Sequence, residues 1–241
     1  PNANAAAVGS FIILTTSNHR PYTCPKNKID IKSGTGRNGA VKYCDYAIGE
    51  FINSARKQKW FDNTIFVFTA DHCASSAGKA KLEVDKYHIP MIIYAPKIIR
   101  PALIPNIASQ IDIAPTIFEL LNWSYTSNFF GNAISAQPDK NNINNIARVF
   151  ISNYQKLGYI ENDEVVILEP KQKIFSYKYF NNTLLESKIK EKIITNAVAY
   201  YQTASYIYNK SKQKKISAEQ IARTQNNSFA GNYNISDARK K

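Results

Sequence analysis

The sequence has few cysteines and no long apolar run, and each shortage excludes a class of protein. Only three cysteines, Cys24, Cys44 and Cys73, occur in 241 residues, which excludes a disulfide framework and a Cys-x-x-Cys zinc site. An oxidising compartment would allow one Cys24–Cys44 bridge, but we adopt the interpretation of three unpaired thiols. The longest apolar runs have the size of Phe11–Leu14 and Met91–Ala95, far below the ~18 residues that span a bilayer.

Acidic residues are outnumbered: 31 Lys and Arg face 18 Asp and Glu, a net charge of +13. Such an excess of positive charge suggests binding to nucleic acid. No nucleic-acid-binding motif accompanies the charge, however, so we predict no such partner. Nearly half of the excess lies in residues 209–241, where eight basic residues face two acidic ones. We predict a solvated, flexible basic tail there, with attraction to an anionic membrane surface as the alternative.

Short apolar runs alternate with helical patterns in the first half of the chain. Continuous apolar runs predict strands at Ser10–Thr16, Thr64–Thr69 and Pro90–Tyr94. Apolar residues at helical spacing predict helices over Asn38–Lys59 and over Ile113–Leu121, the second with Asp112 as its N-cap. This alternation indicates an α/β domain with a largely parallel sheet flanked by helices.

The pattern changes after Gly131. We predict a helix over Ile143–Leu157, a pair of strands at Val165–Leu168 and Ile174–Tyr179, and a long helix over Leu184–Tyr208. Residues 140–208 are therefore predicted to form a small α+β extension of the main domain.

The chain has only three histidines, and each lies at the end of a predicted strand. His19 follows the first strand, Asp71 and His72 follow the second, and His88 precedes the third. Ligands of open α/β sheets bind outside the carboxyl ends of the strands. A carboxylate beside an imidazole suits Zn²⁺ or Mn²⁺, and imidazoles bind or protonate phosphate-like groups near neutral pH. The alternative is a helix-capping Asp71 with three ordinary surface histidines.

Four motifs in collinear order resemble one family. They are Thr-Thr-Ser-Asn-His-Arg-Pro-Tyr, Phe-Val-Phe-Thr-Ala-Asp-His-Cys, His-Ile-Pro-Met-Ile-Ile-Tyr-Ala-Pro and Ser-Gln-Ile-Asp-Ile-Ala-Pro-Thr-Ile, beginning at residues 15, 66, 88 and 109. Residues 10–135 resemble the sulfatase/alkaline-phosphatase superfamily, and within it most closely the lipoteichoic acid synthase and phosphoglycerol transferase group. Residues 140–208 are similar to an extension found in some members.

The resemblance implies roles for the strand-end residues. Asp71 and His72 would bind the catalytic divalent metal, Mn or Zn, with Mg as a third candidate, while His19 and, at a less uniform position, His88 would bind substrate. A metal-activated threonine would take a phosphoglycerol or phosphoethanolamine group from a phospholipid and pass it to a glycan or polymer acceptor. The metal would lower the pKa of the hydroxyl and neutralise charge on the phosphate.

The chain departs from the family pattern at its start. The resemblance implies a nucleophilic threonine and a metal-binding glutamate upstream of Ser10, and residues 1–9 contain neither. We therefore expect the C-terminal part of a larger protein, inactive alone and tethered by transmembrane helices to the extracytoplasmic face of a bacterial cytoplasmic membrane. The predicted parts are a linker or cloning remnant at 1–9, an incomplete sulfatase-like catalytic domain at 10–135, the extension at 140–208 and the tail at 209–241.

Two other functions stay open. The first is a sulfatase-type hydrolase of sulfate or phosphate esters, which requires Cys or Ser in a Cys/Ser-x-Pro-x-Arg motif; Cys24-Pro25-Lys26 does not fit it. The second is a non-catalytic, basic, membrane-apposed module. That module would bind anionic vesicles through the tail, and its binding would fall steeply with salt.

Overall fold

The computed structural model describes residues 9–74, 82–134, 147–212 and 217–218. The chain divides into two compact units, residues 1–64 and 65–241. The predicted linker at 1–9, apart from Gly9, and most of the tail at 209–241 lie outside the described residues. The predicted domain boundaries stay predictions.

The first unit contains one long helix, α1 (Arg37–Ala55), which confirms the helix predicted from Asn38. Gly36, the residue before it, has a φ of 143°, in the region that favours glycine. The strand predicted at Ser10–Thr16 is wrong. Phe11, Ile12, Ile13 and Leu14 are between 75% and 97% exposed, and the described part of this unit has no strand that could pair with them. A continuous apolar strand requires partners on both edges and cover on both faces.

The second unit begins with two short strands, β1 (Phe66–Thr69) and β2 (Met91–Tyr94), which confirms both predicted strands. They pair in antiparallel orientation, with Thr69 opposite Met91. The prediction of a largely parallel sheet is therefore wrong for the described strands. A parallel connection needs a crossover, usually a helix, and the described part of the β1–β2 connection holds only a 3₁₀ turn, Val84–Tyr87.

Helix α2 (Ile113–Leu120) follows a 3₁₀ turn at Gln110–Asp112, which confirms the short helix predicted here. Its first turn contains Pro115, a residue whose fixed φ suits a helix start. The mixture of helices and sheets agrees with the predicted α/β class.

The remainder of the unit is a five-stranded antiparallel meander in chain order. Its strands are β3 (Arg148–Ser152), β4 (Leu157–Glu161), β5 (Glu164–Glu169), β6 (Lys173–Phe180) and β7 (Thr183–Glu186). The strand pair predicted at 165–168 and 174–179 is confirmed. The helix predicted over Ile143–Leu157 is wrong where it is described, because Val149 and Ile151 pack on one face of the sheet and Phe150 on the other. That alternation is the period of a strand.

Helix α3 (Glu191–Asn209) closes the meander. It begins later than the predicted Leu184 because Thr183–Glu186 pairs with β6. One face of the sheet, with Ile160, Val165 and Ile167, packs on Leu82 from the segment before β2. The opposite face, with Tyr159 and Val166, packs on α3. The first core therefore fixes the meander to the segment before β2, and the second fixes α3 to the meander.

Candidate metal centre

The turn after β1 brings the carboxylate of Asp71 and the imidazole of His72 together. The backbone N–H of His72 donates to Asp71 Oδ1 at 2.9 Å, and His72 Nε2 lies 3.7 Å from Asp71 Oδ2. Both side chains are exposed to solvent. The first hydrogen bond fixes the rotamer of the carboxylate, so its second oxygen faces the imidazole nitrogen.

The other imidazole nitrogen is held by the backbone. His72 Nδ1 lies 2.8 Å from the carbonyl oxygen of Cys73, and a carbonyl can only accept, so Nδ1 carries a proton; in this tautomer of the neutral ring, Nε2 has the free lone pair. Metal-binding histidines are commonly oriented in this way, through a hydrogen bond from the second ring nitrogen. The 3.7 Å between Nε2 and Oδ2 is less than the sum of two metal–ligand distances, about 4.2 Å, so both atoms can bind one ion.

Gln110 supports the turn from the other side. Its Nε2 donates to the carbonyl oxygens of Ala70 and Asp71, each at 2.9 Å. One side-chain amide therefore uses both of its protons to hold the two peptides that carry the carboxylate. The motif Ser-Gln-Ile-Asp contains this residue, but sequence reasoning assigned it no role.

Asp112 anchors the loop that presents Gln110. Its Oδ2 accepts from the backbone N–H of Ser109 at 2.8 Å, and its Oδ1 accepts from the backbone N–H of Asn132 at 2.8 Å. Asp112 is the N-cap residue of α2, as predicted, but its side chain makes no cap hydrogen bond to that helix and belongs to the capping box of the 3₁₀ turn at Gln110–Asp112. The signal for its actual role was available: Ser109-x-x-Asp112 is a capping-box pattern.

Arg148 neutralises Asp112 from the meander. Its side chain is 1% exposed, and its Nη1 lies 3.1 Å from Asp112 Oδ1. Nη2 donates to the carbonyl of Phe130, and the guanidinium lies over the rings of Phe150 and Tyr200 at 5.4 and 5.7 Å. The first residue of β3 thus reaches back to the loop that supports Asp71, a contact between residues 36 positions apart.

The antiparallel pairing places His88 at the same end of the β1–β2 pair as Asp71 and His72. Thr69 ends β1 opposite Met91, the first residue of β2, so the residues after Thr69 and before Met91 leave the pair together. In a parallel pair His88 would have lain at the other end. His88 is exposed, and its backbone N–H donates to the Asp85 carbonyl at 3.4 Å.

His19 lies in the first unit, in a turn of its own. Its backbone N–H donates to the Thr16 carbonyl at 3.0 Å, and its Nδ1 lies 3.0 Å from the carbonyl oxygen of Arg20. The turn is basic: Arg37 Nη2 donates to the Tyr22 hydroxyl at 3.0 Å. Hydrogen bonds from Arg37 and Arg20 lower the pKa of Tyr22.

The donor set suits a divalent cation but is small. Oxygen and imidazole nitrogen are ligands that Zn²⁺ and Mn²⁺ accept. Within the described ranges, no group of three or more His, Cys, Asp or Glu side chains could hold a metal ion. The three cysteines are free thiols, in agreement with the sequence-based interpretation. Asp71 and His72 therefore offer two ligands of a site that needs more.

Comparison with known proteins gives the family. A family model described as Sulfatase matches residues 10–123. A crystal structure of a protein in the alkaline phosphatase superfamily from Vibrio parahaemolyticus superimposes with a TM-score of 0.75 and 32% identity, over 83% of this chain and 49% of that chain. Residues 10–123 therefore carry a Sulfatase family domain, and the chain is similar in structure to the alkaline-phosphatase superfamily. The predicted family and α/β class are thereby confirmed.

Two curated relatives come from the lipoteichoic acid synthase group of this superfamily. The chain is 29% identical over 135 residues to the lipoteichoic acid synthase-like YvgJ of Bacillus subtilis strain 168, covering 46% of this chain and 22% of the relative. It is 26% identical over 129 residues to lipoteichoic acid synthase 2 of the same organism, covering 45% and 20%. The matches therefore span about a fifth of each relative. None of the helices in the described part of the chain is long and apolar enough to cross a membrane.

Proposed function

We propose that this chain is the C-terminal part of a metal-dependent transferase. It would move a phosphoglycerol or phosphoethanolamine group from a phospholipid to a glycan or polymer acceptor. The observation that carries the proposal is the oriented Asp71–His72 pair, with Oδ2 and Nε2 3.7 Å apart at the end of β1. Similarity to lipoteichoic acid synthases supports this branch of an enzyme superfamily.

Asp71 and His72 would hold the divalent ion, Mn²⁺ or Zn²⁺, with Mg²⁺ as the third candidate. When bound, the ion supplies positive charge that stabilises the phosphate oxygens during transfer. The Cys73 carbonyl accepts a hydrogen bond from His72 Nδ1. Gln110 holds the two peptide groups on either side of the Asp71 Cα. His19, which precedes Arg20 in the first unit, and His88 are proposed to bind the phosphate group of the substrate.

The environment of the reaction is also part of the proposal. A phospholipid donor places the enzyme at a membrane, and a glycan or polymer acceptor places it at the extracytoplasmic face of a bacterial cytoplasmic membrane. The nucleophilic threonine that the resemblance implies is proposed to lie outside residues 1–241.

The test is a transferase assay of the full-length protein as its own cells produce it. The assay contains Mn²⁺ and fluorescent phosphatidylglycerol or phosphatidylethanolamine. We expect release of diacylglycerol, abolished by Asp71→Asn. The matched control is Asp45→Asn, which removes an exposed carboxylate on α1 and should leave the rate unchanged.

A second arm tests the hydrolase alternative, which the Sulfatase family model favours. The same protein is assayed on an aryl sulfate and an aryl phosphate without any acceptor. Turnover of either ester, with no release of diacylglycerol from the phospholipids, would contradict the transferase proposal and support a sulfatase-type hydrolase.

A further inference from the structure

One strip of the meander is left uncovered by α3. Cross-strand pairing places Ser176 opposite Val166 and Lys178 opposite Leu185. Val166 packs against α3, and side chains alternate between faces along a strand. Ile174, Lys178 and Phe180 of β6 and Leu185 of β7 therefore lie on the same face as α3.

The helix covers β4 and β5 on this face, and the β6–β7 side is exposed. Ile174, Phe180 and Leu185 are 46%, 65% and 52% exposed. Phe180 is the last residue of β6, next to a turn in which Asn181 and Asn182 both have positive φ, as in tight hairpins. The hairpin therefore presents an aromatic ring at its tip. We name Ile174, Lys178, Phe180 and Leu185 the hairpin strip.

Basic residues surround the hairpin strip. Residues 171–192 contain six lysines and two glutamates. Lys178 lies within the strip, and its ion pair with Asp163 is long at 3.8 Å and exposed. Lys188 and Lys190 are exposed in the link from β7 to α3, which returns the chain to this face. Apolar side chains are thus bordered by cations that can face outward.

We propose that the hairpin strip docks on a bilayer surface that contains anionic lipid. Phe180, Leu185 and Ile174 would enter the interfacial region, where aromatic and aliphatic side chains gain from burial. Lys178, Lys188 and Lys190 would face the anionic headgroups. This site is separate from the Asp71–His72 centre and requires no catalysis, so it does not rest on the proposed function.

Charge argues against the two nearest alternatives. A second copy paired along β7 would bring two like-charged lysine clusters together, which is unfavourable. A soluble polyanion would satisfy the lysines but would leave Phe180 and Leu185 in water. A membrane surface satisfies both the apolar and the cationic side chains.

The experiment is co-sedimentation of the full chain with vesicles of equimolar phosphatidylglycerol and phosphatidylcholine, and with phosphatidylcholine vesicles. We expect binding to the anionic vesicles that weakens as salt is raised. The Phe180→Ser/Leu185→Ser variant should partition about tenfold less strongly, and Lys188→Gln about fivefold less. The matched control, Leu103→Ser/Tyr154→Ser, removes two of the most exposed apolar side chains elsewhere in the same unit and should bind as the parent does.

Circular dichroism and thermal unfolding check that the variants keep the fold. We expect that they do, because substitutions at exposed positions change stability little. Three outcomes would overturn the proposal. The first is absence of binding to anionic vesicles. The second is a loss of binding in Leu103→Ser/Tyr154→Ser as large as that in Phe180→Ser/Leu185→Ser, or undiminished binding in Phe180→Ser/Leu185→Ser. Either result would show that the membrane contact is not made by the hairpin strip. The third is self-association in sedimentation velocity that the hairpin substitutions abolish, which would assign the strip to a second copy.

Discussion

At the scale of single residues, the turn after β1 is held by a side chain that binds no metal itself. Gln110 donates to the carbonyls of Ala70 and Asp71, and it belongs to a loop fixed by the Asp112 carboxylate. Outer-shell groups of this kind orient the ligands, and their loss commonly lowers metal affinity or activity about 10–100-fold. Gln110 is therefore a positioning residue in this account.

The first prediction concerns that residue. Gln110→Ala should weaken Mn²⁺ binding about tenfold, although Asp71 and His72 are both still present, because the Asp71 peptide loses its support. Isothermal titration with Mn²⁺ measures the change. Gln110→Glu keeps the size but loses both donors and should resemble Gln110→Ala, whereas Gln155→Ala, at an exposed glutamine, should bind as the parent does. Equal affinity in all four proteins would contradict the positioning role.

At the scale of elements, the buried Arg148–Asp112 pair joins β3 to the loop before α2. Both side chains are almost fully buried, and removing one partner of such a pair leaves an uncompensated charge in the core. Gly131 adds a close approach at the same loop, since a Cβ there would lie 1.9 Å from the Ile111 carbonyl oxygen. The meander is therefore coupled to the supports of the candidate site.

The second prediction tests this coupling. Arg148→Met should lower the free energy of unfolding by about 3–5 kcal/mol, measured by urea denaturation, because Asp112 stays buried and charged. The double variant Arg148→Met/Asp112→Asn should be more stable than Arg148→Met, since no unpaired charge is left at this position. Lys42→Met, which breaks the exposed Lys42–Asp30 pair, should leave the midpoint unchanged. If the double variant were no more stable than Arg148→Met, the buried charge of Asp112 would not be the cause of the lost stability.

The sequence was informative where the signal is local and misleading where it depends on distant partners. Asp71 and His72 could be found because they directly follow a strand. The Ser109-x-x-Asp112 pattern indicates one role of Asp112, but its contacts with Asn132 and Arg148 could not be predicted, because these partners lie 20 and 36 residues away. Arg148–Ser152 was assigned to a helix because a five-residue alternation is hard to distinguish inside a longer apolar pattern.

At the scale of the whole molecule, the proposed metal site is small. Asp71 and His72 lie together as the two proposed ligands, no larger group of possible ligands occurs among the described residues, and the matches span about a fifth of two lipoteichoic acid synthase relatives. The exposed apolar run at Phe11–Leu14 shows that this segment has no cover among the described residues of its unit. A two-ligand centre should bind metal weakly and should not catalyse transfer by itself.

The third prediction follows for the 241-residue chain. It should release no diacylglycerol from phosphatidylglycerol with Mn²⁺, because the proposed nucleophile is outside it. The assay is thin-layer chromatography of a fluorescent lipid after prolonged incubation. Turnover by this chain that Asp71→Ala abolishes would show that the chain carries a complete active site, and the account of a partial site would be wrong.

The central claim is that Asp71 Oδ2 and His72 Nε2 bind the same divalent cation, and electron spin-echo spectroscopy of added Mn²⁺ tests it most directly. We predict weak binding of one Mn²⁺ with modulation from a coordinated imidazole nitrogen. His72→Ala should abolish the modulation, His88→Ala should preserve it, and Asp71→Asn should weaken binding. Bound Mn²⁺ whose nitrogen modulation survives His72→Ala, or affinity unaffected by Asp71→Asn, would contradict the claim.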